Sequence, residues 1–201
     1  MGELIVTEFV TLDGVAQAPG GPDEDRDSGF AHGGWQAPLL DEKSGDVMFE
    51  HARSMDALLL GRKTYEIFAA YWPRAPEEIP FTGLLNGVPK YVASRTLAGP
   101  LAWQGSTLVA EVLAETITAL NERHDEVHVI GSLNLVQSLL RFGLVDRLNL
   151  WLYPLLLGSG KQVFADGTVP TALRLIESVT YPNGTLQLTY DTAGTPTYGT
   201  M

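Results

Sequence analysis

Two stretches of this chain repeat one pattern, and together they constrain its fold more than any other feature. In residues 127–140 an apolar run, Val127 to Ile130, stops at Gly131, after which Leu133, Val136 and Leu139/Leu140 recur at the spacing of one helix face. In residues 58–71 the run ends at Gly61, and Arg62-Lys63-Thr64 opens the helix. A buried strand that passes into a helix through glycine aims the first turn's unpaired N–H groups, and the positive end of the helix dipole, past the strand's carboxyl edge. Glycine there lets an anionic group approach the backbone closely. One such junction is an ordinary strand-to-helix turn; the pair is informative.

At 201 residues the chain suits one domain, expected over residues 1–192, with residues 193–201 a frayed tail. A composition of 45% hydrophobic and 18% charged residues reads as globular rather than disordered. Cysteine is absent, which excludes disulfides and thiolate metal sites and fits a cytoplasmic location. No apolar run has the length of a membrane span, and no basic-then-apolar export signal opens the chain. The net charge of -11 argues against nucleic acid or an anionic membrane as partner, but leaves room for a small anion held by a local cluster of cations.

Taken in order, residues 4–10 are nearly all apolar, as in a strand buried on both faces, and end at Thr11-Leu12-Asp13-Gly14. Residues 15–38, rich in Gly, Pro and Asp, read as a lid or as a linker without a role. A helix is expected over 41–54, a strand over 56–61, a helix from 62 to about 72, and a loop over 76–86. Strands follow at 90–94 and 107–110, an amphipathic helix at 111–122 with Leu113, Ile117 and Leu120 on one face, and then the 127–140 unit. Residues 147–157 read as a long strand whose Pro154 suggests an edge or bulge. Residues 173–181 and 185–191 pair as a hairpin around Asn183-Gly184. Strands separated by helices call for parallel pairing, so the expectation is an α/β fold: a mixed, mostly parallel sheet flanked by helices, with a C-terminal antiparallel hairpin.

Three corners of that sheet suit phosphate. Gly61-Arg62-Lys63-Thr64 offers backbone donors, two cations and a hydroxyl; Ser94-Arg95 offers a hydroxyl and a guanidinium; Gly131-Ser132 adds donors without charge. In an open α/β sheet, ligands bind outside the carboxyl ends of the strands. Each corner alone is equally compatible with solvated charges and helix caps; together they suggest one extended, multiply phosphorylated ligand. Other motifs fail. Gly158-Ser159-Gly160-Lys161 has Val163 at its third glycine position and no helix behind it. The four histidines are scattered, which makes a metal site improbable, and no Gly-x-Ser-x-Gly elbow occurs.

Thr11-Leu12-Asp13-Gly14, Leu60-Gly61-Arg62-Lys63-Thr64-Tyr65-Glu66, Val92-Ala93-Ser94-Arg95, Val129-Ile130-Gly131-Ser132 and residues 154–160 occur in the order seen in the dihydrofolate-reductase-like superfamily. The chain most closely resembles the C-terminal reductase domain of the bifunctional riboflavin-biosynthesis deaminase/reductase and its stand-alone relatives. That resemblance implies an NADPH-dependent reductase. Gly61, Arg62 and Thr64 would hold the phosphate side of the cofactor, Ser94 and Arg95 its 2′-phosphate, and Gly131, Ser132, Leu133 and Asn134 its pyrophosphate. Ala16 and the lid would border the nicotinamide. It also implies a homodimer through the C-terminal strands, with which the apolar strand from Leu148 to Leu157 is compatible.

Departures from the family pattern concern the acid. A substrate-binding carboxylate on the first helix has Asp41 or Glu42 as its counterparts, and Asp13 in the Leu-Asp-Gly turn is either an Asx turn or a pocket contact. The catalytic candidates are therefore Asp13 and Asp41. The deaminase half is absent from this sequence, so a role in riboflavin synthesis is not implied. Two functions remain in view: hydride transfer to a small, pterin- or pyrimidine-like heterocycle, or a non-catalytic dinucleotide-binding module that retains the cleft.

Overall fold

In the computed structural model, residues 2–40, 42–110 and 114–200 are described, with the Glu42 side chain set aside. The chain alternates strands and helices. β1 (Glu3–Thr11) is followed by the lid, then by α1 (Glu42–Ala52), β2 (Ala57–Gly61), α2 (Arg62–Tyr71) and α3 (Pro80–Gly87). Next come β3 (Lys90–Ala93), β4 (Ser106–Val109), α4 (Ala114–Asn121), β5 (Glu126–Ile130) and α5 (Leu133–Arg141). β6 (Arg147–Tyr153), β7 (Leu173–Thr180) and β8 (Leu186–Thr192) close the chain. Together the strands make one eight-stranded sheet in the order β4-β3-β2-β5-β1-β6-β8-β7. From β4 to β6 every pairing is parallel; β8 lies antiparallel to both β6 and β7.

Why these segments take these forms follows from burial. β1 and β2 are covered on both faces, so β2 is a continuous apolar run and β1 a nearly continuous one interrupted by Thr7 and Glu8, rather than alternating ones. Leu4, Val6, Leu59, Val127 and Val129 pack against Ile117 and Leu120 of α4 and against Leu135, Val136 and Leu139 of α5. On the opposite face, Leu58, Leu60 and Val92 meet α1, α2 and α3 through Ala52, Tyr65 and Leu85. A third cluster joins Trp151 and Tyr153 of β6 to Trp35, Phe30 and Val15 of the lid.

The mostly parallel α/β architecture with its closing hairpin is as the sequence implies, with local differences. Residues 80–87, read as loop, form α3. Pro80 sits at the start of that helix, where a missing N–H costs nothing, and Leu85 with Phe81 and Leu84 supplies the buried side. The strand expected to run to Leu157 ends at Tyr153; Pro154 stops it, although β6 is interior, and the edges are β4 and β7. Asp41 at the expected start of α1, and residues 111–113 with Leu113, lie outside the described residues. The 15–38 segment is ordered by two short 3-10 turns and by its own hydrogen bonds, including Trp35 Nε1 to the Gln17 carbonyl at 2.8 Å. At the far edge, the hairpin turn is closed by Thr185 N–H donating to Asn183 Oδ1 at 3.0 Å, with Gly184 at φ 86°.

Candidate functional site

The carboxyl ends of β1, β2, β3 and β5 open onto a cleft of about 1410 Å³. This exceeds the few hundred to roughly 1,000 Å³ of a typical small-ligand pocket, enough for an extended ligand or for two molecules side by side. It is lined by the start of α2 (Gly61, Arg62, Lys63, Thr64), by Ser94 and Arg95 after β3, and by Gly131, Ser132, Leu133 and Asn134 at the β5–α5 junction. Ala16 and lid residues 17–25 form its other wall. Every residue assigned to the cofactor from sequence thus borders one cavity.

The two strand–helix junctions are tied directly to each other. Gly61 N–H donates to Ser132 Oγ at 3.0 Å, and Ser132 N–H donates to Thr64 Oγ1 at 3.1 Å. The two junctions are in van der Waals contact: a Cβ on Gly61 would lie 3.5 Å from that of Ser132, and one on Gly131 would lie 3.6 Å from Thr64 Oγ1. Gly131 and Ser132 both have left-handed backbone, at φ 59° and 65°. For serine that conformation costs on the order of 1 kcal/mol, and its hydroxyl offsets the cost by bonding the facing junction. The result aims the first-turn N–H groups of α2 and α5 into one place, an arrangement suited to an anion.

The third corner is shaped differently. Ser94 Oγ accepts from Thr96 N–H at 3.1 Å and Leu97 N–H at 3.0 Å, which bends the chain after β3 and turns Arg95 outward along the cleft edge. Arg62 is half-exposed and forks onto Glu66 one turn on, both nitrogen–oxygen contacts being 3.1 Å. Such a solvent-exposed pair is worth a few tenths of a kcal/mol, so a phosphate can recruit the guanidinium at little cost.

The lid is held over the cleft by a four-charge clasp. Lys63 at the start of α2 reaches Asp25 at 2.8 Å and also pairs with Asp27; Lys161 reaches Asp25 at 2.6 Å and Asp27 at 2.7 Å. Burial pushes the Asp25 carboxyl up, but the hydrogen bonds from Lys161 and Lys63 outweigh it and leave it below its ordinary value. Hydrogen bonds from Lys161 and then Lys63 bring Asp27 down to about 2. Gln17 bridges the same elements: its Nε2 donates to the Asp25 carbonyl at 3.1 Å, and its Oε1 accepts from Lys161 N–H at 3.0 Å. Where Lys161 and the lid cross, Gly160 (φ 128°) leaves space that a Cβ would take from Val15 and Phe30.

Asp13, the candidate proton donor, is not among the residues lining the cleft. Its carboxylate accepts from Thr11 Oγ1, from Gly158 N–H at 2.6 Å and from Leu157 N–H at 2.9 Å, which hold it below the usual carboxylate range. It ties the end of β1 to the 155–160 loop. Asp41, the other candidate, lies outside the described residues.

Besides the lid acids Asp23, Glu24, Asp25 and Asp27, the cleft is bordered by Glu8, which in sequence lies inside the apolar run of residues 4–10. It is 2% exposed, its Oε1 is enclosed without a hydrogen-bond partner, and burial alone raises its pKa to about 8. The signal was present: a glutamate inside a strand buried on both faces has nowhere to go but the interior.

An α/β sheet of this order, with its cleft at the parallel strands' carboxyl ends, defines a dihydrofolate-reductase-like fold. Residues 3–187 match the model of the RibD C-terminal domain, and the chain belongs to that reductase-like family. Among curated proteins it is similar to the uncharacterized protein YyaP of Bacillus subtilis (strain 168), 25% identical over 190 residues and 93% of each chain. Two crystal structures share the fold. A putative riboflavin biosynthesis protein from Shewanella sp. PV-4 superposes with a TM-score of 0.67 at 22% identity, over 95% of this chain and 99% of that one. A pyrimidine reductase-like protein from Corynebacterium diphtheriae gives 0.66 at 16% identity, over 96% and 92%. Among the described residues no helix is long and apolar enough to cross a membrane, and no group of three or more His, Cys, Asp or Glu could hold a metal ion.

Proposed function

We propose that the protein is an NADPH-dependent reductase that transfers hydride to a small heterocycle of pterin or pyrimidine type. The observation that carries this reading is the pair of hydrogen bonds joining the β2–α2 and β5–α5 junctions, which turns two helix starts into one anion site beside Arg62 and Arg95. In this reading Gly61, Arg62 and Thr64 hold the phosphate side of the cofactor, Gly131, Ser132, Leu133 and Asn134 the pyrophosphate, Ser94 and Arg95 the 2′-phosphate, and Ala16 borders the nicotinamide. NADPH, when bound, supplies the hydride. The protein binds and orients both molecules, while the lid, clasped by Lys63 and Lys161, excludes water. Phe68, Tyr71 and Trp72, packed edge to face, offer the second ligand aromatic surface.

Thermal unfolding with NADPH, NADH, FMN or no addition tests the assignment. NADPH at about a hundred times its Kd adds about 2.7 kcal/mol, a shift of roughly 5–10 °C for a chain of this size. The shift with NADH is smaller, and Arg95→Ala removes the difference. An equal response to both cofactors in the unaltered protein would remove Arg95 from the 2′-phosphate role. A shift with NADPH but no oxidation of it across a panel of heterocycles would favour a binding module without catalysis.

Self-association through the C-terminal strands belongs to the same proposal, with a change of strand. The apolar β6 residues Leu148, Leu150 and Trp151 are buried within the chain, whereas edge strand β7 presents Leu173, Leu175 and Ile176 to solvent. An exposed apolar edge is a template for pairing. Light scattering is expected to give twice the chain mass, and Ile176→Lys to halve it; a monomer in the unaltered protein would end this part of the reading.

A further inference from the structure

Glu8 occupies a particular place in the cleft. Thr7, beside it, accepts the Gly131 N–H through its carbonyl, so Glu8 stands level with the β5–α5 turn. Alternation along β1 puts its side chain on the face shared by Val6, which packs beneath α5, and Val10, which packs with Ala16 and Leu133. The carboxyl is therefore held between the Gly131-Ser132 corner and the Ala16 wall. Among the described residues its Oε1 has no hydrogen-bond partner, and in this it differs from the engaged carboxylates of Asp13, Asp25 and Asp27. A buried polar group without a partner costs about 1–3 kcal/mol, which a ligand can return.

We propose that Glu8 is a specificity-determining residue of the cleft, the polar partner of the carboxamide on the cofactor's nicotinamide ring; this rests on the dinucleotide reading above. The chemistry selects that group over the rest of the molecule. Burial keeps Glu8 a neutral acid at pH 7, with one O–H donor and one carbonyl acceptor. A carboxamide presents the complementary pair, an N–H donor and a C=O acceptor, on one planar edge. Phosphate offers only acceptors and negative charge, for which Arg62, Arg95 and the helix starts are the matching groups. A neutral acid beside the ring adds no anion to a cleft that must already accept the cofactor's phosphates.

The test measures Kd at pH 7 for NADPH and for 2′-phospho-ADP-ribose, which has every phosphate and both riboses but no nicotinamide. Glu8→Leu fills the space without a polar group, and Glu8→Gln keeps a donor and an acceptor. Glu8→Leu is expected to weaken NADPH by about tenfold or more, the loss of a buried hydrogen-bonded pair, and to leave 2′-phospho-ADP-ribose unchanged; Glu8→Gln stays close to the unaltered protein for both. A companion measurement needs no substitution: the 3-acetylpyridine analogue of NADPH, lacking the amide N–H, binds the unaltered protein more weakly than NADPH. NADPH binding unaffected in Glu8→Leu, equal weakening of both ligands, or equal affinity for the acetyl analogue would each overturn the proposal. If the unaltered protein binds neither NADPH nor the ribose fragment, the dinucleotide reading itself falls, which separates that failure from an error about Glu8.

Discussion

The two rims of the sheet treat buried charge in opposite ways. At the amino-terminal rim, Lys90 opens β3 with its side chain fully enclosed, and Nζ donates to the carbonyls of Asn86 at 2.8 Å and Gln104 at 3.1 Å while lying 4.6 Å from the centre of the Trp103 ring. Nearby, Asp56 accepts from the N–H groups of Asp125 and Glu126, and Asp146 accepts from Leu4 N–H. At the carboxyl-terminal rim, Glu8 is about as deeply buried, and its Oε1 has no partner among the described residues. The amino-terminal rim satisfies these charged groups internally, leaving only neutral oxygens such as Ser106 Oγ and Asn121 Oδ1 without a partner among the described residues; the other rim holds an acid in reserve, as a rim that receives a ligand must.

The largest expected contrast is in pH dependence. Glu8 has an ordinary value of 4.5 and a folded value of about 8. Between those limits the unfolded chain has released this proton and the native chain has not, so native stability falls as pH rises from 4.5 to 8. The loss is on the order of 5 kcal/mol. Glu8→Gln removes this slope, and the difference between its stability–pH curve and that of the unaltered protein isolates Glu8 from His128, whose burial lowers its pKa and acts oppositely. Parallel curves for the two proteins would show that Glu8 is not held neutral.

At the closed rim, Lys90→Ala leaves two part-buried carbonyls without their donor and strips the Trp103 face of its cation. Expected destabilisation is about 3 kcal/mol, a fall in Tm of roughly 6–12 °C, with NADPH affinity unchanged relative to the folded fraction. A change in that affinity would erase the distinction between the rims. Loosening the lid is smaller in stability and larger in local dynamics. Asp25→Asn weakens the clasp on Lys63 and Lys161, costing about 1 kcal/mol, and is expected to speed hydrogen exchange over residues 19–30 while β2 and β5 keep their protection. The clasp carboxylates act in a lower pH window than Glu8: they stabilise the fold above the ordinary aspartate value of 3.8, and that contribution is lost as pH falls toward about 2. Smallest of all, Arg62→Ala should change stability by less than about 0.5 kcal/mol, because its ion pair is exposed, while weakening NADPH.

The features visible in sequence are those written in local periodicity. Residues 58–71 and 127–140 declare strand, glycine and helix because each face is buried, and Asn183-Gly184 declares its turn through φ. The cofactor-side residues could be gathered from the rule that ligands sit at strand carboxyl ends. What escaped depends on partners distant in the chain. The contacts of Lys161 with Asp25 and Asp27 span 136 and 134 positions, and Asp13 meets Gly158 across 145. α3 is hidden in the sequence by Pro76, Pro80 and Gly83, residues that break helices elsewhere but here are offset by Leu85 and its neighbours packing into the core. Glu8 was hidden by its surroundings, since an apolar run draws attention away from the one charge within it.

The most direct measurement is peptide-resolved hydrogen exchange of the unaltered protein with and without saturating NADPH. One dinucleotide gripped by all three corners is expected to slow exchange together in residues 61–65, 94–97 and 131–136, with little change at the amino-terminal rim around Lys90 and Asp56. Slowing confined to one corner, or appearing at the closed rim instead, would contradict the account.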